Sequence, residues 1–416
     1  MSKNYYKDLD SLEKKVSIIP NDRSFLALLN IKNFKTLNSR FGFEIGDLLL
    51  NNIFERIEHI ISNHKENIIY SKYYGTSYIF ILNDTNKNEM ELFFQHLLEA
   101  LEAKYNITLN PINLDFEVGI TKIKHKKIKE NIKYAEVAIK KSQSYESIIY
   151  FDEKIEKEHI IENDILNDID KAIKNKEIEL YFQPKIKNDN SIDSAEILLR
   201  WNHPKHGFIN TEKLIQIMEE TGHIYNITEY VIHEGINYLK KFIEKGYFLE
   251  ISINLSSKVI YDENFYKKIK KILEINKINP NLIQFEITES FLIQDENTKQ
   301  CLKKLNNLGI SIAIDDFGKG YSSFSYLSDL PIDTVKIDKS FIIDIDEKSE
   351  YKKIQLIKGI IELCHSLELI VIAEGVETKF QNILLKNNNI DKIQGYYYSR
   401  PLNYNDFVEF YKLNSV

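Results

Sequence analysis

Ser311-Ile312-Ala313-Ile314-Asp315-Asp316-Phe317-Gly318-Lys319-Gly320 decides the reading of this chain. Ile310 to Ile314 has the apolar, isoleucine-rich character of a buried strand. It runs straight into two adjacent carboxylates, Asp315 and Asp316, and then into a loop hinged by Gly318 and Gly320. Adjacent aspartates at the end of a hydrophobic strand repel one another and resist desolvation. A divalent metal pair between them removes that conflict. An isolated Asp-Asp would read as an exposed acidic turn, but here the pattern of a strand ending in an acid recurs on both sides.

Working outward, the next strands show the same habit. Glu196, Leu198 and Arg200 share one face of a strand by its alternation, and a charged pair facing into a barrel is costly unless it binds something. Asn254 interrupts Ile-Ser-Ile-Asn-Leu, and Glu286 and Thr288 interrupt Phe-Glu-Ile-Thr. Lys336 and Asp338 follow in Val-Lys-Ile-Asp, and Glu374 and Glu377 in Ile-Ala-Glu-Gly-Val-Glu. From 178 onward, strands are expected at 179–183, 194–201, 249–255, 282–288, 310–315, 334–337, 369–373 and 392–396. Helices are expected at 211–222, 226–245, 263–276, 296–307, 350–367 and 378–388. Some 250 residues of repeating β-α units predict a TIM-type (β/α)8 barrel, whose active site lies where strands end and loops begin. Six strands with an acid, amide or ammonium near their ends point to a metal site at that mouth.

The first 150 residues read differently. A strand at 25–31 precedes a short helix, and Gly42 and Gly46 punctuate a loop after it. Asp47 is expected to cap the amphipathic helix that begins at Leu48. A hairpin (68–73 and 78–82), a long helix (87–105), a strand (115–123), a helix (128–143) and a last strand (148–151) complete a mixed α/β sheet domain. Residues 152–174 predict a charged linker helix whose stripe Ile155, Ile160, Ile165, Ile169 and Ile173 packs on the second domain. The domains are therefore expected at 1–151 and 163–416, with the start of the linker helix at 152–162.

Bulk composition narrows the function classes. A formal net charge of -7 argues against nucleic acid as the main partner, and the lysine run 122–129 reads as a solvated face. Cys301 and Cys364 are too few for a disulfide framework or a thiolate metal site. No apolar run approaches the ~20 residues of a membrane helix and there is no apolar leader, so a cytoplasmic protein is expected.

The first region resembles the diguanylate cyclase (GGDEF) family in Leu-Asn-Ile-Lys-Asn-Phe-Lys-Thr-Leu-Asn (29–38), Phe-Gly-Phe-Glu-Ile-Gly-Asp (41–47) and Tyr-Ala-Glu-Val-Ala-Ile-Lys-Lys (134–141). The hairpin motif itself reads Tyr74-Gly75-Thr76-Ser77-Tyr78, so both acidic positions carry neutral hydroxyls. The family's metal-binding aspartate falls at Asn30, and the Arg-x-x-Asp inhibitory motif is replaced by Lys65-Glu66-Asn67-Ile68. Joining two nucleotides needs carboxylates that hold Mg²⁺ against triphosphate oxygens, which Asn, Thr and Ser do not supply. A degenerate, catalytically inactive domain is expected. Asn38 and Asp47 nevertheless stand where the family reads the guanine edge, so GTP is an expected ligand there; as plain residues they read as a helix end and an N-cap.

Residues 163–416 resemble the EAL family of cyclic di-GMP phosphodiesterases. The matching motifs include Tyr-Phe-Gln-Pro (181–184), Ala-Glu-Ile-Leu-Leu-Arg-Trp-Asn-His-Pro (195–204), Phe-Glu-Ile-Thr-Glu-Ser (285–290), Asp-Asp-Phe-Gly-Lys-Gly-Tyr-Ser-Ser (315–323), Leu-Pro-Ile-Asp-Thr-Val-Lys-Ile-Asp-Lys-Ser-Phe (330–341) and Gln-Gly-Tyr-Tyr-Tyr-Ser-Arg-Pro (394–401). The resemblance implies Glu196, Asn254, Glu286, Asp315, Asp316 and Glu374 as metal ligands. It implies Lys336 at the nucleophilic water or phosphate, Gln394 orienting the site, Glu289 steadying the loop, and Gln183 and Arg200 on the ligand. Oxygen ligands with neither Cys nor His favour a pair of Mg²⁺ or Mn²⁺ ions. The implied activity is hydrolysis of cyclic di-GMP to linear pGpG, with a non-catalytic cyclic di-GMP receptor as the alternative and a homodimer through this domain among the expected partners. Two departures stand out: Glu196-Ile197-Leu198 replaces Glu-Ala-Leu, and Lys319 stands where the family mostly carries a small residue.

Overall fold

A computed structural model describes residues 5–6, 9–16, 23–62, 67–108, 110–124, 127–141, 146–262, 264–289, 296–319, 327, 329–346 and 351–414. The expected hinge at Gly320, the motif residues Ser290 and Tyr321–Ser323, and Lys65–Glu66 lie outside them. The chain divides into two compact units, Met1–Asp164 and Ile165–Val416.

The first unit is a six-stranded sheet of β1 (Tyr5–Tyr6), β2 (Phe25–Ile31), β3 (Ile68–Lys72), β4 (Tyr78–Leu82), β5 (Phe116–Lys122) and β6 (Ile148–Tyr150). Its order is β1-β3-β4-β2-β5-β6. The centre, β2, is apolar on both faces because both are covered. Ala27 and Leu29 pack in a cluster with α3 (Phe43–Ser62) and α4 (Lys87–Glu102), following α1 (Leu9–Val16) and α2 (Phe34–Phe41) in the chain. Leu26 and Leu28 pack on the other side with Leu12 and with Ile128, Ile132 and Ala135 of α5 (Ile128–Lys140). A reciprocal cap between Asn86 and Glu89 starts α4.

Two local expectations are corrected here. Helix α3 begins at Phe43, so Gly46 lies inside it and Asp47 is not its N-cap. Gly46 is there because a Cβ would come 2.1 Å from Asn38 Oδ1, on the neighbouring helix. Close packing of α2 on α3, invisible in local propensity, places glycine within a helix at this point.

Helix α6 (Glu153–Asn175) contains the boundary between the units. Asp152 caps it by accepting from the Ile155 amide at 2.8 Å. Its apolar stripe does not pack as one strip on the second unit. Ile155 joins Val137, Ala138, Ile149 and Phe151 in the first unit, Ile160 is exposed, and only Ile165 and Ile169 are fully buried further on. Ion pairs from Lys124 to Glu156 and from Lys141 to Glu162 hold the first turns to the unit they emerge from.

The second unit is a closed barrel of eight strands: β7 (Ile178–Lys187), β8 (Ile192–His203), β10 (Glu250–Asn254), β11 (Ile283–Thr288), β12 (Ser311–Phe317), β13 (Thr334–Ile337), β14 (Ile370–Ala373) and β15 (Lys392–Ile393). A short β9 (Gly207–Ile209) adds to the free stretch of β8, and pairing of β10 with β8 closes the ring. The outer helices are α7 (Thr211–Thr221), α8 (Ile224–Glu244), α9 (Ser257–Ile260), α10 (Phe265–Asn276), α11 (Glu296–Asn306), α12 (Tyr351–Ser366), α13 (Lys379–Asn387) and α14 (Tyr404–Asn414).

The barrel departs from the all-parallel pattern in one strand. β7 is antiparallel to both β8 and β15. A parallel crossover needs about a dozen residues, whereas only Asn188 to Ser191 separate β7 from β8, with Asn190 at φ 69° in the turn. The remaining seven strands deliver their C-terminal ends to one mouth.

Candidate functional site

Alternation along these strands stacks polar side chains inside the barrel in two layers. The lower layer holds Lys185 of β7, which donates to Ser252 Oγ at 2.7 Å, Gln284 Oε1 at 3.1 Å and Glu286 Oε1 at 2.7 Å. The Gln284 amide in turn donates to Ser311 and Thr334, both at 3.1 Å. Two residues on along each strand, Ser252 gives way to Asn254, Gln284 to Glu286 and Thr334 to Lys336. That second layer is the site.

Lys336 is its centre. Fully buried, its Nζ lies 2.6 Å from Glu286 Oε2, 2.8 Å from Glu374 Oε1, 3.1 Å from Asp315 Oδ1 and 3.5 Å from Glu196 Oε2. Those carboxylates raise its pKa well above the usual lysine value against the opposing effect of burial. Glu286 feels both buried ammoniums: burial favours its neutral form, but Lys185 and Lys336 prevail and hold it down at about 2. The others carry excess negative charge. Burial pushes Glu374 up to about 8, with Lys336 opposing and Asp315 and Glu196 adding to the rise. Burial and the Glu286 charge likewise raise Glu196, and burial outweighs Lys336 in raising Asp315.

Glu196 is pinned from two sides. Asn254 Nδ2 donates to its Oε1 at 2.6 Å and Gln394 Nε2 to its Oε2 at 2.5 Å. Gln394 also donates to Gln183 Oε1 at 3.1 Å, and Gln183 donates to the Ser399 carbonyl at 3.2 Å. Arg200, further up the same face of β8, donates to the Leu199 carbonyl at 2.8 Å and to Thr211 Oγ1 at 3.2 Å. The site opens into a cleft of about 550 Å³ lined by Leu198, Gln216, Glu219, Asn254, Thr288 and Asp316 among others.

Adjacent residues of a regular strand point to opposite faces, yet Asp315 and Asp316 work together. The ladder between β12 and β13 shifts register between Ile314 and Phe317, and Asp316 adopts a left-handed φ of 55°. This bulge turns both side chains to one side. Oxygens of Asp315, Asp316 and Glu374 then lie within 4.8 Å of one another. Such a set of hard oxygen donors with surplus negative charge fits a divalent cation. The loop beyond is held by Glu289, whose Oε2 accepts from the Gly318 amide at 2.8 Å. Gly318 itself sits at φ 97°, and a Cβ there would strike the Phe341 ring at 2.4 Å.

The structure thus gathers Gln183, Glu196, Asn254, Glu286, Asp315, Lys336, Glu374 and Gln394 through direct contacts, with Asp316 and Glu289 beside them. Glu377 is exposed. Lys185 and Asp338 join this neighbourhood beyond the site residues expected from the sequence. The lysine after Tyr-Phe-Gln-Pro sits two residues beyond Gln183, on the same face, and that spacing was the available signal. In the first unit, Asn30 Oδ1 accepts from Ser77 Oγ at 2.5 Å, so the two neutral substitutions face each other. Asn38 lies against Gly46, beside the exposed Asp47, and its Oδ1 has no hydrogen-bond partner among the described residues.

Comparison with known proteins places both units in known families. The EAL domain family profile matches residues 166–401, and the profile for the diguanylate cyclase, GGDEF domain matches residues 6–146. The signaling protein YkoW of Bacillus subtilis is 31% identical over 92% of this chain and 48% of its own length. The cyclic di-GMP phosphodiesterase PdeR of Escherichia coli is 27% identical over 97% of this chain and 61% of its own length. The chain spans roughly half the length of the curated relatives it matches, between 46% and 61% for the first five. Among solved structures, the MucR phosphodiesterase of Pseudomonas aeruginosa in complex with cyclic di-GMP is 30% identical, with a TM-score of 0.56, covering 59% of this chain and 99% of that one. An EAL domain protein from Listeria monocytogenes gives 30% identity and a TM-score of 0.53 over 59% of this chain and 97% of its own. With the profile covering more than half of its residues and a matching fold, this chain belongs to the EAL domain family and carries a GGDEF domain ahead of the EAL domain.

Proposed function

We propose that the barrel hydrolyses cyclic di-GMP to linear pGpG with the help of two divalent ions, Mg²⁺ or Mn²⁺. The observation that carries this reading is the ring of carboxylates around Lys336 at the mouth of a cleft large enough for a nucleotide-sized ligand. Asp315, Asp316, Glu374, Glu196, Glu286 and Asn254 would hold the ions. A divalent pair, when bound, supplies positive charge at the phosphodiester and a water acidic enough to ionise near neutral pH. Lys336 holds the carboxylates in place and offers the charge that offsets negative charge building on the phosphate. Gln394 and Asn254 fix both oxygens of Glu196, so its orientation is set before any ligand arrives. Glu289 holds the loop after the aspartates through Gly318, and Gln183 and Arg200 would contact the ligand. The relatives and solved structures named for cyclic di-GMP support this choice of substrate.

Incubation of the purified chain with cyclic di-GMP and Mn²⁺, followed by chromatography, should give pGpG, and a chelator should stop it. Tight binding of intact cyclic di-GMP without turnover would replace this reading by a receptor.

The first domain is assigned no cyclase activity. Asn30 and Ser77 are hydrogen-bonded to each other where carboxylates would have to face a metal, and the nearby Glu117 is already drawn to Lys32 at 3.9 Å. GTP at Asn38 and Asp47 would then serve as a regulatory ligand. The whole chain given GTP and Mg²⁺ should release no pyrophosphate and form neither cyclic di-GMP nor pGpG. Pyrophosphate release that tracks protein concentration would refute the assignment.

A further inference from the structure

Lys319 follows Gly318 in the loop that leaves β12, and its ammonium reaches back to the site. Its Nζ donates to Asp316 Oδ1 at 2.6 Å and lies 3.0 Å from Asp338 Oδ2. The two partners differ. Asp338 is almost fully buried and also accepts from the Ser340 amide at 2.9 Å, so it is a fixed anchor. Asp316 is half-exposed, and it is one of the three carboxylates whose oxygens converge to within 4.8 Å. We propose that Lys319 is an internal counter-cation that occupies Asp316 and is displaced from it when a divalent ion enters, so that this lysine sets the metal concentration at which the centre fills.

This inference rests on the metal-centre reading given above. An oxygen already bonded to an ammonium at 2.6 Å does not offer the same lone pair to a metal ion, and a second cation close by repels the first. Asp338 gives Lys319 somewhere to stay after Asp316 is given up, so displacement breaks one ion pair and keeps the other. Lys336 does not play this part: it is enclosed by four carboxylates and has no exposed route away from them.

The test is calorimetric titration of Mn²⁺ into the metal-free whole chain, with no substrate present. Because the Lys319 side chain is 48% exposed, its replacement leaves no buried gap and solvent screening keeps the effect moderate. Lys319→Ala should bind Mn²⁺ about fivefold more tightly than the wild type, the upper end for a partly exposed ion pair. Lys319→Arg, which keeps the charge, should bind like the wild type. Equal affinity in wild type and Lys319→Ala would overturn the proposal while leaving the metal centre standing. So would tightening by Lys319→Arg to the level of Lys319→Ala, since charge would then not be the cause. Absence of Mn²⁺ binding in all three proteins would remove the metal centre and this proposal with it.

Discussion

Lys336→Met is expected to destabilise the barrel by about 3–5 kcal/mol, the cost of leaving buried charges without their partner. The methionine keeps most of the lysine's apolar stem and removes the ammonium, its charge together with its hydrogen-bond donors. Glu286, Asp315, Glu374 and Glu196, now all within about 4 Å of one ammonium, would face each other without it. Unfolding should be followed in chelator by tryptophan fluorescence. The chain has one tryptophan, Trp201, fully buried on β8, so the signal reports the barrel and not the first domain. Lys185→Met is the matched comparison. Lys185 is equally buried but pairs with one carboxylate, Glu286, which would keep its bond to Lys336. Its loss should therefore cost less. A Lys336→Met midpoint equal to the wild type, or a larger effect at Lys185, would contradict the central role of Lys336.

Glu196→Gln should lower kcat for cyclic di-GMP by about a thousandfold or more, at the upper range for removing one charged group from a preorganised site. The substitution preserves shape, so the loss would be one of charge. It costs some stability as well, because the Asn254 and Gln394 amides now donate to separate oxygens of Glu196 and a glutamine has only one oxygen to offer. Single-turnover assays at saturating Mn²⁺, with Trp201 fluorescence as the check on folding, separate the two effects. Retention of more than about a tenth of wild-type turnover would remove Glu196 from the metal-binding set.

Much of the site was legible before any coordinates. Strands ending in Glu, Asn, Asp or Lys are unusual enough to mark a barrel mouth, since a charge buried there is tolerated only against a partner. The hairpin of the first domain was equally readable, from Ile68 through Gly75 to Leu82, because alternation and a glycine turn are local signals. The errors arose where packing overruled local preference. Asp47 looks like a cap and Gly46 like a loop residue, but both lie inside α3, where the glycine leaves room for the Asn38 side chain. Ile155 looks like part of a single stripe, but its turn of α6 is tied to the first unit through Glu156 and Glu162.

The sequence by itself determined most of the strands and helices of both domains, the candidate acidic set and the neutral residues at Asn30, Thr76 and Ser77. These are properties of residue type and spacing, which need no third dimension. The tertiary structure decided how those residues meet. A register shift and one left-handed residue bring Asp315 and Asp316 to the same side, although the period of a strand sends neighbours apart. Barrel closure carries Lys185 from β7, the barrel strand that is antiparallel to both β8 and β15, to Glu286 of β11, 101 positions away in the chain. The reach of Lys319 to Asp316 and Asp338 likewise depends on a loop path that its own sequence does not dictate. Charges separated along the chain act strongly on one another only when folding brings them together and excludes the water between them, and the barrel interior is where that happens.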